Sequence, residues 1–473
     1  MDNFELFEKK MTAAGLGPNV IAAFRRNYEL LAREETGMIA ESDIEPVTEL
    51  PRAEDLTSSD KLSATEKDGL LRETVVLKLN GGLGTSMGLE KAKSLLPVRG
   101  KHTFLDLITR QILHLRETLG SVEESRPAFV LMNSFSTSED TREALKNYPN
   151  IREPELIELL QNRIPKVDAE SLRPAEWPHN PELEWCPPGH GDIYTALWST
   201  GKLRELLDAG IRTMFVANAD NLGATLDLAI LRHFTEKNYP FMMEVCRRTS
   251  SDRKGGHLAF DPATGRYLLR ESAQTAEEDA EAFQDIDKHK FFNTNNLWLR
   301  LDVLYQALEE HGGWLPLPLI TNKKTVDPRD KTSPAVYQLE TAMGAAIASF
   351  NNSGTLVVPR ARFAPVKTTS DLLAVRSDAY ELTEDYRLRP AQKRRGQPPA
   401  ISLDPEHYKL VDQLDAATPD GPPSLVDCDA LRVWGPWIFP AEAKIVGQVS
   451  FQCPDTDAPK HAEAREYRDE EAR

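Results

Sequence analysis

The segment Thr74-Val-Val-Leu-Lys-Leu-Asn80-Gly81-Gly82-Leu83-Gly84-Thr85-Ser-Met-Gly88 constrains this chain more than any other. A run of β-formers from Thr74 to Leu79 breaks into glycines, then into residues able to start a helix. That layout is a parallel-sheet strand delivering a loop to an anion. Glycines let the backbone approach a phosphate with its amides aimed inward, and a following helix N-terminus adds a favourable dipole. Lys91 and Lys93 come next, placed to lie against phosphate charge. The segment favours a nucleotide-handling enzyme. A glycine-rich turn after a strand also serves purely structural ends, so alone it leaves both readings open.

Two familiar glycine motifs do not fit. A Walker loop ends in Gly-Lys-Ser/Thr, and here Gly88 is followed by Leu89. The dinucleotide fingerprint needs Gly-x-Gly-x-x-Gly, and after Gly82-Leu83-Gly84 the next glycine, Gly88, falls one residue late. The loop belongs to a third kind of phosphate binder.

At 473 residues and 40% hydrophobic content the chain is long enough for about two or three domains with a substantial core. Its net charge of −17 repels nucleic acid and anionic membrane. A polyanionic substrate is repelled too, so a site for one needs lysines of its own. Cys186, Cys246, Cys428 and Cys453 lie far apart without a Cys-x-x-Cys pair, which argues against zinc and for a reducing compartment. The start Met-Asp-Asn-Phe-Glu is acidic where a secretory signal is basic, and no apolar run reaches the ~20 residues of a membrane span. The expected location is the cytoplasm.

Residues 1–35 predict two short helices, with Phe4, Phe7 and Met11 on one face and Val20, Ile21, Phe24, Tyr28 and Leu31 on the next. From Thr74 to about Tyr380 strands and helices alternate. Strands are expected at 128–132, 213–218, 241–246, 256–260, 296–301 and 355–358; helices at 105–119, 155–161, 194–209, 226–236 and 338–349. Such alternation predicts an α/β fold with a mostly parallel mixed sheet and ligands beyond the strands' carboxyl ends. The basic stretch 387–400 reads as a solvated linker, 425–451 as strand-like, and the charged tail 455–473 as disordered.

Further segments bear on chemistry. Pro187-Pro188-Gly189-His190-Gly191-Asp192 is a stiff turn exposing amides around a histidine, which alone reads as structural. The strand 213–218 ends in Ala219-Asp220-Asn221-Leu222-Gly223, putting Asp220 at the ligand edge with a carboxylate suited to Mg²⁺ and phosphate. Phe292-Asn293-Thr294-Asn295-Asn296-Leu297-Trp298 sets amides among aromatics, as sugar recognition or as a run of Asx turns. Val366-Lys367-Thr368-Thr369-Ser370-Asp371 places a lysine among small polar residues.

Taken in order, Leu79-Asn-Gly-Gly-Leu-Gly84, Pro187 to Asp192, Asn218 to Gly223, Phe292 to Trp298, Gln338-Leu-Glu-Thr-Ala-Met-Gly-Ala-Ala346 and Val366 to Leu372 closely resemble the eukaryotic-type UTP–glucose-1-phosphate uridylyltransferases. The resemblance runs from about 70 to 380 and more loosely to about 450. It implies an N-terminal helical extension and linker (1–69), a Rossmann-like nucleotide-sugar transferase domain (70–385), a linker with a short C-terminal β-helix (386–454) and a charged tail (455–473). By position it implies that Leu79, Asn80, Gly81 and Gly82 cradle the nucleotide, that Gln161 reads the uracil edge, and that Gly189 lies beside the base. Lys93 and Lys367 would hold phosphates and Asp220 a Mg²⁺, while His190, Asn218, Glu271, Asn293 and Asn295 would contact the sugar phosphate.

The implied reaction joins UTP and glucose 1-phosphate into UDP-glucose and pyrophosphate. Two rivals stand beside it: a uridylyltransferase for galactose or N-acetylglucosamine 1-phosphate, and a non-catalytic UDP-sugar-binding regulator. The latter would have no use for Lys93, Asp220 and Lys367 together. Two departures stand out. Ala219 replaces a common serine, and the C-terminal repeat is short, which leaves the oligomeric state open because longer β-helices in the family can mediate self-association.

Overall fold

Successive residues of a strand face opposite ways, and this chain uses that alternation to build two cores on one sheet. Val76, Phe129, Leu131, Phe215 and Ala217 pack to one side, while Val75, Leu77, Val130, Met132, Met214 and Val216 pack to the other. The computed structural model describes residues 3–35, 37–118, 127–151, 157–249, 252–453 and 458–472. Leu119 and Glu155, at the ends of two expected helices, lie outside them, as do 455–457 and 473 of the tail.

The strands are β1 (Thr74–Asn80), β2 (Ala128–Asn133), β3 (Glu158–Leu160), β4 (Thr213–Asn218), β5 (Phe241–Arg247), β6 (His257–Asp261), β7 (Arg266–Arg270) and β8 (Phe291–Arg300). Then come β9 (Ile320–Thr325), β10 (Ala335–Glu340), β11 (Gly354–Val357), β12 (Ala400–Leu403), β13 (Ser424–Trp434), β14 (Lys444–Gln452) and β15 (Glu466–Arg468). One large mixed sheet runs β6-β8-β4-β1-β2-β3. Its site-bearing half, β4-β1-β2-β3, is parallel. The long β8 runs antiparallel to β4, β5 and β6, and β11 pairs parallel with β5. Helices Phe104–Thr118 and Leu228–Glu236 cover one face; Asp192–Ser199, Lys202–Asp208 and Leu301–Glu310 cover the other.

Two helices, α1 (Asn3–Ala13) and α2 (Pro18–Ala32), form as the spacing of their aromatics predicts. Phe4, Phe7, Phe24 and Tyr28 close on one another, with the Phe7 and Tyr28 rings 4.9 Å apart. The pair packs onto Ile164, Val167, Cys186 and Leu339, and so buttresses β10.

Six expectations need correction, four of them before the C-terminal portion. No α-helix follows the glycine loop: Gly84 and Gly88, at φ of +72° and +77°, bracket a single 3-10 turn, and Lys93 N–H donates to Gly82 O at 3.1 Å, folding the loop back on itself. Residues 158–160, expected as helix, add to the sheet edge as β3. The helix expected over 338–349 is instead the end of β10, paired with β9, followed by the 3-10 segment Met343–Ser349. The helix expected over 194–209 is two, broken at Gly201 with φ +74°.

The C-terminal portion departs most. β12, β13, β14 and β15 stack in parallel, so the basic stretch is no free linker and the described part of the tail is no disordered coil. Arg394 donates to Leu425 O and Val426 O, and Tyr467 is buried against Phe451 with rings 4.9 Å apart. Backbone pairing with β14 and one buried aromatic outweigh the tail's polarity.

Candidate active site

β4, β1, β2 and β3 end together, with Asn218 opposite Leu79, Asn80 opposite Asn133, and Asn133 opposite Leu160. Beyond these carboxyl ends lies a cavity of about 460 Å³, lined by Leu79, Asn80, Gly81, Gly82, Lys93 and Asp220 among others. The Asn80 side chain is buried and donates to Asn133 Oδ1 at 2.8 Å and Thr141 Oγ1 at 2.9 Å. It anchors the loop, and Thr137 Oγ1 adds a bond to Asn80 O at 2.9 Å.

Gln161 follows β3 and joins two loops. A Cβ on Gly81 would lie 2.9 Å from its Oε1, and its Nε2 donates to Gly189 O at 2.8 Å. The turn Pro187 to Asp192 is laced to the end of β10. Thr341 N–H donates to Pro188 O at 3.0 Å and Gly191 N–H to Thr341 O at 2.8 Å. Gly189 sits at φ +80°, and a Cβ there would stand 2.6 Å from Thr341 O. Only glycine fits.

His190 lines the same cavity, and its Nδ1 accepts from Met343 N–H at 2.9 Å. Burial, and then the charge of Lys367, hold its pKa down to about 4. The ring is therefore neutral near pH 7 and carries its proton on Nε2, as a hydrogen-bond donor.

Lys93 Nζ meets Asp220 Oδ2 at 2.7 Å. Asp220 Oδ1 is buried and has no hydrogen-bond partner among the described residues. An orphaned carboxylate oxygen beside a phosphate-sized cavity fits a hard divalent cation. Among the described residues no cluster of three or more His, Cys, Asp or Glu could hold a metal, so such a cation would need oxygen ligands from substrate.

A second cavity, of about 620 Å³, adjoins it, lined by Gly256, Glu271, Asn293, Asn295, Arg360 and Lys367 among others. The β5–β8 register slips at Glu244/Val245, and this bulge accommodates Asn295 at φ +58°. Asn293 Nδ2 donates to Asn295 Oδ1, and Asn295 N–H to Asn293 Oδ1, both at 2.8 Å. Burial raises the pKa of Glu271, against the opposing charge of Lys367, and the carboxylate presses on Gly256, where a Cβ would stand 2.4 Å from Oε2.

Lys367 lines this second cavity, and its charge reaches His190 in the first. Its backbone N–H donates to Asp371 Oδ2, within the capping box that starts helix Thr369–Arg376. All the site residues expected from sequence thus line one or other of two adjoining cavities: Asn218, Gln161, Gly189 and His190 the first, and Glu271, Asn293, Asn295 and Lys367 the second.

Sequence reasoning missed Ser94, Lys324, Gln338 and Glu340, which also line the first cavity. Ser94 Oγ is buried without a hydrogen-bond partner among the described residues. Its place beside Lys93 was the available signal. Gln338 and Glu340 stood in a quoted motif but were given no role, and Lys324 carried no signal because strand β9 that aims it was not foreseen.

The family described as UTP–glucose-1-phosphate uridylyltransferase matches residues 21–445. The enzyme of that name from Saccharomyces cerevisiae is 41% identical over 387 residues, covering 81% of this chain and 75% of the yeast protein. The one from Solanum tuberosum is 40% identical over 407 residues, covering 85% and 82%. Among solved structures, UDP-glucose pyrophosphorylase from Leishmania major superposes with a TM-score of 0.92 at 45% identity, over 100% of this chain and 99% of that one. A mutant form of that enzyme in complex with UDP-glucose gives 0.93 at 45% identity, over 99% of each chain. The Trypanosoma brucei protein gives 0.91 at 47% identity, over 100% and 99%. With both the sequence match and the shared architecture spanning most of its length, this chain belongs to the UTP–glucose-1-phosphate uridylyltransferase family.

Proposed function

We propose that the protein joins UTP and glucose 1-phosphate into UDP-glucose with release of pyrophosphate. One observation carries this reading beyond family membership: the Lys93–Asp220 pair opens on one cavity, Lys367 on the next, and Val366 N–H donates to Asp220 O at 3.2 Å, so the two lysines flank a single junction.

An oxygen of the sugar phosphate attacks the α-phosphorus of UTP in line. The new P–O bond forms as the bond to the β-phosphate oxygen breaks, and pyrophosphate leaves with that electron pair. The nucleophile is already anionic and needs no base. The difficulty is bringing two polyanions together, so positioning and charge compensation carry the catalysis. Lys93 and Lys367 supply ammonium groups where the two substrates meet. His190, neutral, donates from Nε2. Gln161 sits where a base would lie against Gly81 and Gly189, while Asn293, Asn295 and Glu271 offer amides and a carboxylate to sugar hydroxyls. Asp220 Oδ1 would hold a Mg²⁺ together with substrate phosphates and water, and the bound ion would offset phosphate charge.

We read 70–385 as a Rossmann-like nucleotide-sugar transferase domain behind an N-terminal extension, and the parallel stack from β12 onward as a short β-helix. No described cysteine forms a disulfide and no described helix is long and apolar enough to cross a membrane, which suits a cytoplasmic enzyme.

The test is pyrophosphate release across glucose, galactose and N-acetylglucosamine 1-phosphates with each nucleoside triphosphate. UTP with glucose 1-phosphate should give the highest kcat/KM. Another pair dominating, or no release at all, would overturn the assignment.

A further inference from the structure

Asn221 stands next to Asp220 and has no part in the chemistry above, yet its side chain is almost fully buried, at 2% exposure. It behaves as a piece of backbone. Its Oδ1 accepts from Ala364 N–H at 3.0 Å and its Nδ2 donates to Arg362 O at 3.0 Å. The main chain continues the pairing, with an antiparallel bridge between Asn221 and Pro365 and the bond from Val366 N–H to Asp220 O. The next residue is Lys367. One amide side chain thus grips the segment that leads to Lys367 and fastens it to the segment that bears Asp220.

The surroundings leave this grip little slack. A Cβ on Gly223 would stand 2.2 Å from Ala361 O, so the two segments touch backbone to backbone. Arg362 donates through Nε and Nη2 to both oxygens of the buried Glu244, at 2.8 and 2.7 Å, and through Nη2 to Thr225 O at 3.0 Å. Glu244 is in turn held by Asn296 Nδ2 at 3.0 Å and Trp298 Nε1 at 2.9 Å. Lys78, buried beneath, donates to Ala224 O. Both segments are thereby tied to β1, β5 and β8. Arg362 to Thr225 O also joins the Asp220 loop to the approach to Lys367, but the bonds of Asn221 are the side-chain bonds made by the residue next to Asp220, and they reach as far as Ala364, three residues from Lys367.

We propose that Asn221 is a positioning residue, which sets the register between the Asp220–Lys93 pair on the nucleotide side and Lys367 on the sugar-phosphate side. The proposal rests on the transferase reading above. In-line attack needs both phosphates placed to a fraction of an ångström, and a misplacement of about 1 Å can cost a hundredfold in rate. Uracil, ribose and hexose contacts lie on other elements, so ground-state binding should survive the loss of this grip.

A double-mutant cycle tests it. Asn221→Ala in the wild-type background should lower kcat tenfold or more, to about a hundredfold. Equilibrium dissociation constants for UTP and for UDP-glucose should stay within about threefold. In a Lys367→Ala background, with nothing left to align, the same change should cost less than about threefold. An equal cost in both backgrounds, or a kcat loss matched by lost binding, would overturn the proposal. Should Asn221→Ala fail to fold, Asn221→Asp, which keeps the acceptor for Ala364 N–H and removes the donor to Arg362 O, carries the same cycle and the same criteria. Failure of the transferase reading looks different, since it appears as an inactive wild type or an unimpaired Lys367→Ala.

Discussion

Lys93 and Asp220 sit 127 residues apart in sequence and 2.7 Å apart in space, a part-buried ion pair lining the first cavity. The carboxylate uses one oxygen on the lysine and leaves the other buried and unpartnered. That asymmetry suits a group with two duties.

Asp220→Asn should therefore lower turnover by about a hundredfold or more and flatten its response to Mg²⁺. Lys93 loses its counter-charge at the same time, so binding of metal-free UTP should hold or tighten. Mg²⁺ titrations of activity, with calorimetry of UTP binding in the presence of a chelator, check both halves. Titrations that overlay the wild type would remove Asp220 from the metal site.

Lys367→Ala should separate catalysis from nucleotide binding. Lys367 lines the second cavity, proposed above for the sugar phosphate, so kcat should fall by about a hundredfold, some 3 kcal/mol of transition-state stabilisation, with little change in the UTP dissociation constant. Steady-state kinetics beside equilibrium titration make the comparison. A near-normal rate would exclude the role given to this residue.

Gly189→Ala should damage the nucleotide site through backbone alone. The residue needs φ +80°, and the added Cβ would collide with Thr341 O. Strain of about 1–3 kcal/mol in the loop would displace Gly189 O from Gln161. Loss of thermal stability together with at least tenfold weaker UTP binding is expected, read by melting curves and calorimetry. Unchanged affinity would show that the loop takes no part in holding the nucleotide.

Acid should weaken the fold through a buried histidine that lines neither cavity, although it follows Gly256 in the wall of the second. His257 is fully buried and stacked on His289 with ring centroids 3.8 Å apart. Burial first, then His289, with Arg248 and Arg270 adding cationic charge, holds its pKa down to about 3. An unfolded histidine titrates near 6.5, so the unfolded chain binds the extra proton as pH falls from there toward 3. The destabilisation is absent above pH 6.5 and amounts to about 2 kcal/mol at pH 5. Denaturant unfolding of wild type and His257→Gln at pH 7 and pH 5 should show the gap moving toward the variant by that amount. Parallel pH dependence in the two proteins would refute it.

In the parallel half of the sheet β1, β2 and β4 were legible because they are mostly apolar runs of strand formers, and β4 falls on 213–218 as read from sequence. β3, β10 and the tail had their local preference overruled by pairing, whereas the helix expected over 194–209 breaks at Gly201. Gln338-Leu-Glu-Thr-Ala is made of helix formers, yet 338–340 hydrogen-bond to β9, whose Thr-Asn-Lys-Lys sequence gives no strand signal. Losing β9 hid Lys324, and without β10 Glu340 was given no role. Three residues of β3 completing a sheet edge leave no periodicity to detect. The tail was misjudged because its contribution is backbone to β14, invisible to side-chain composition. Lys93, Lys367 and Asp220 were singled out by motif order, and the Asn221 grip could not be, since it links residues more than 140 positions apart.

Pro398, Pro399 and Ile401, which enter and begin the C-terminal stack, form an outer wall of the cavity that holds Glu271 and Lys367. The chamber proposed for the hexose is consequently shared property of two parts of the chain, and trimming either would open it to bulk water. Any influence that reseats the stack, from crowding to an encounter with another molecule, would be felt at once as a change in room for the sugar, with no relay in between.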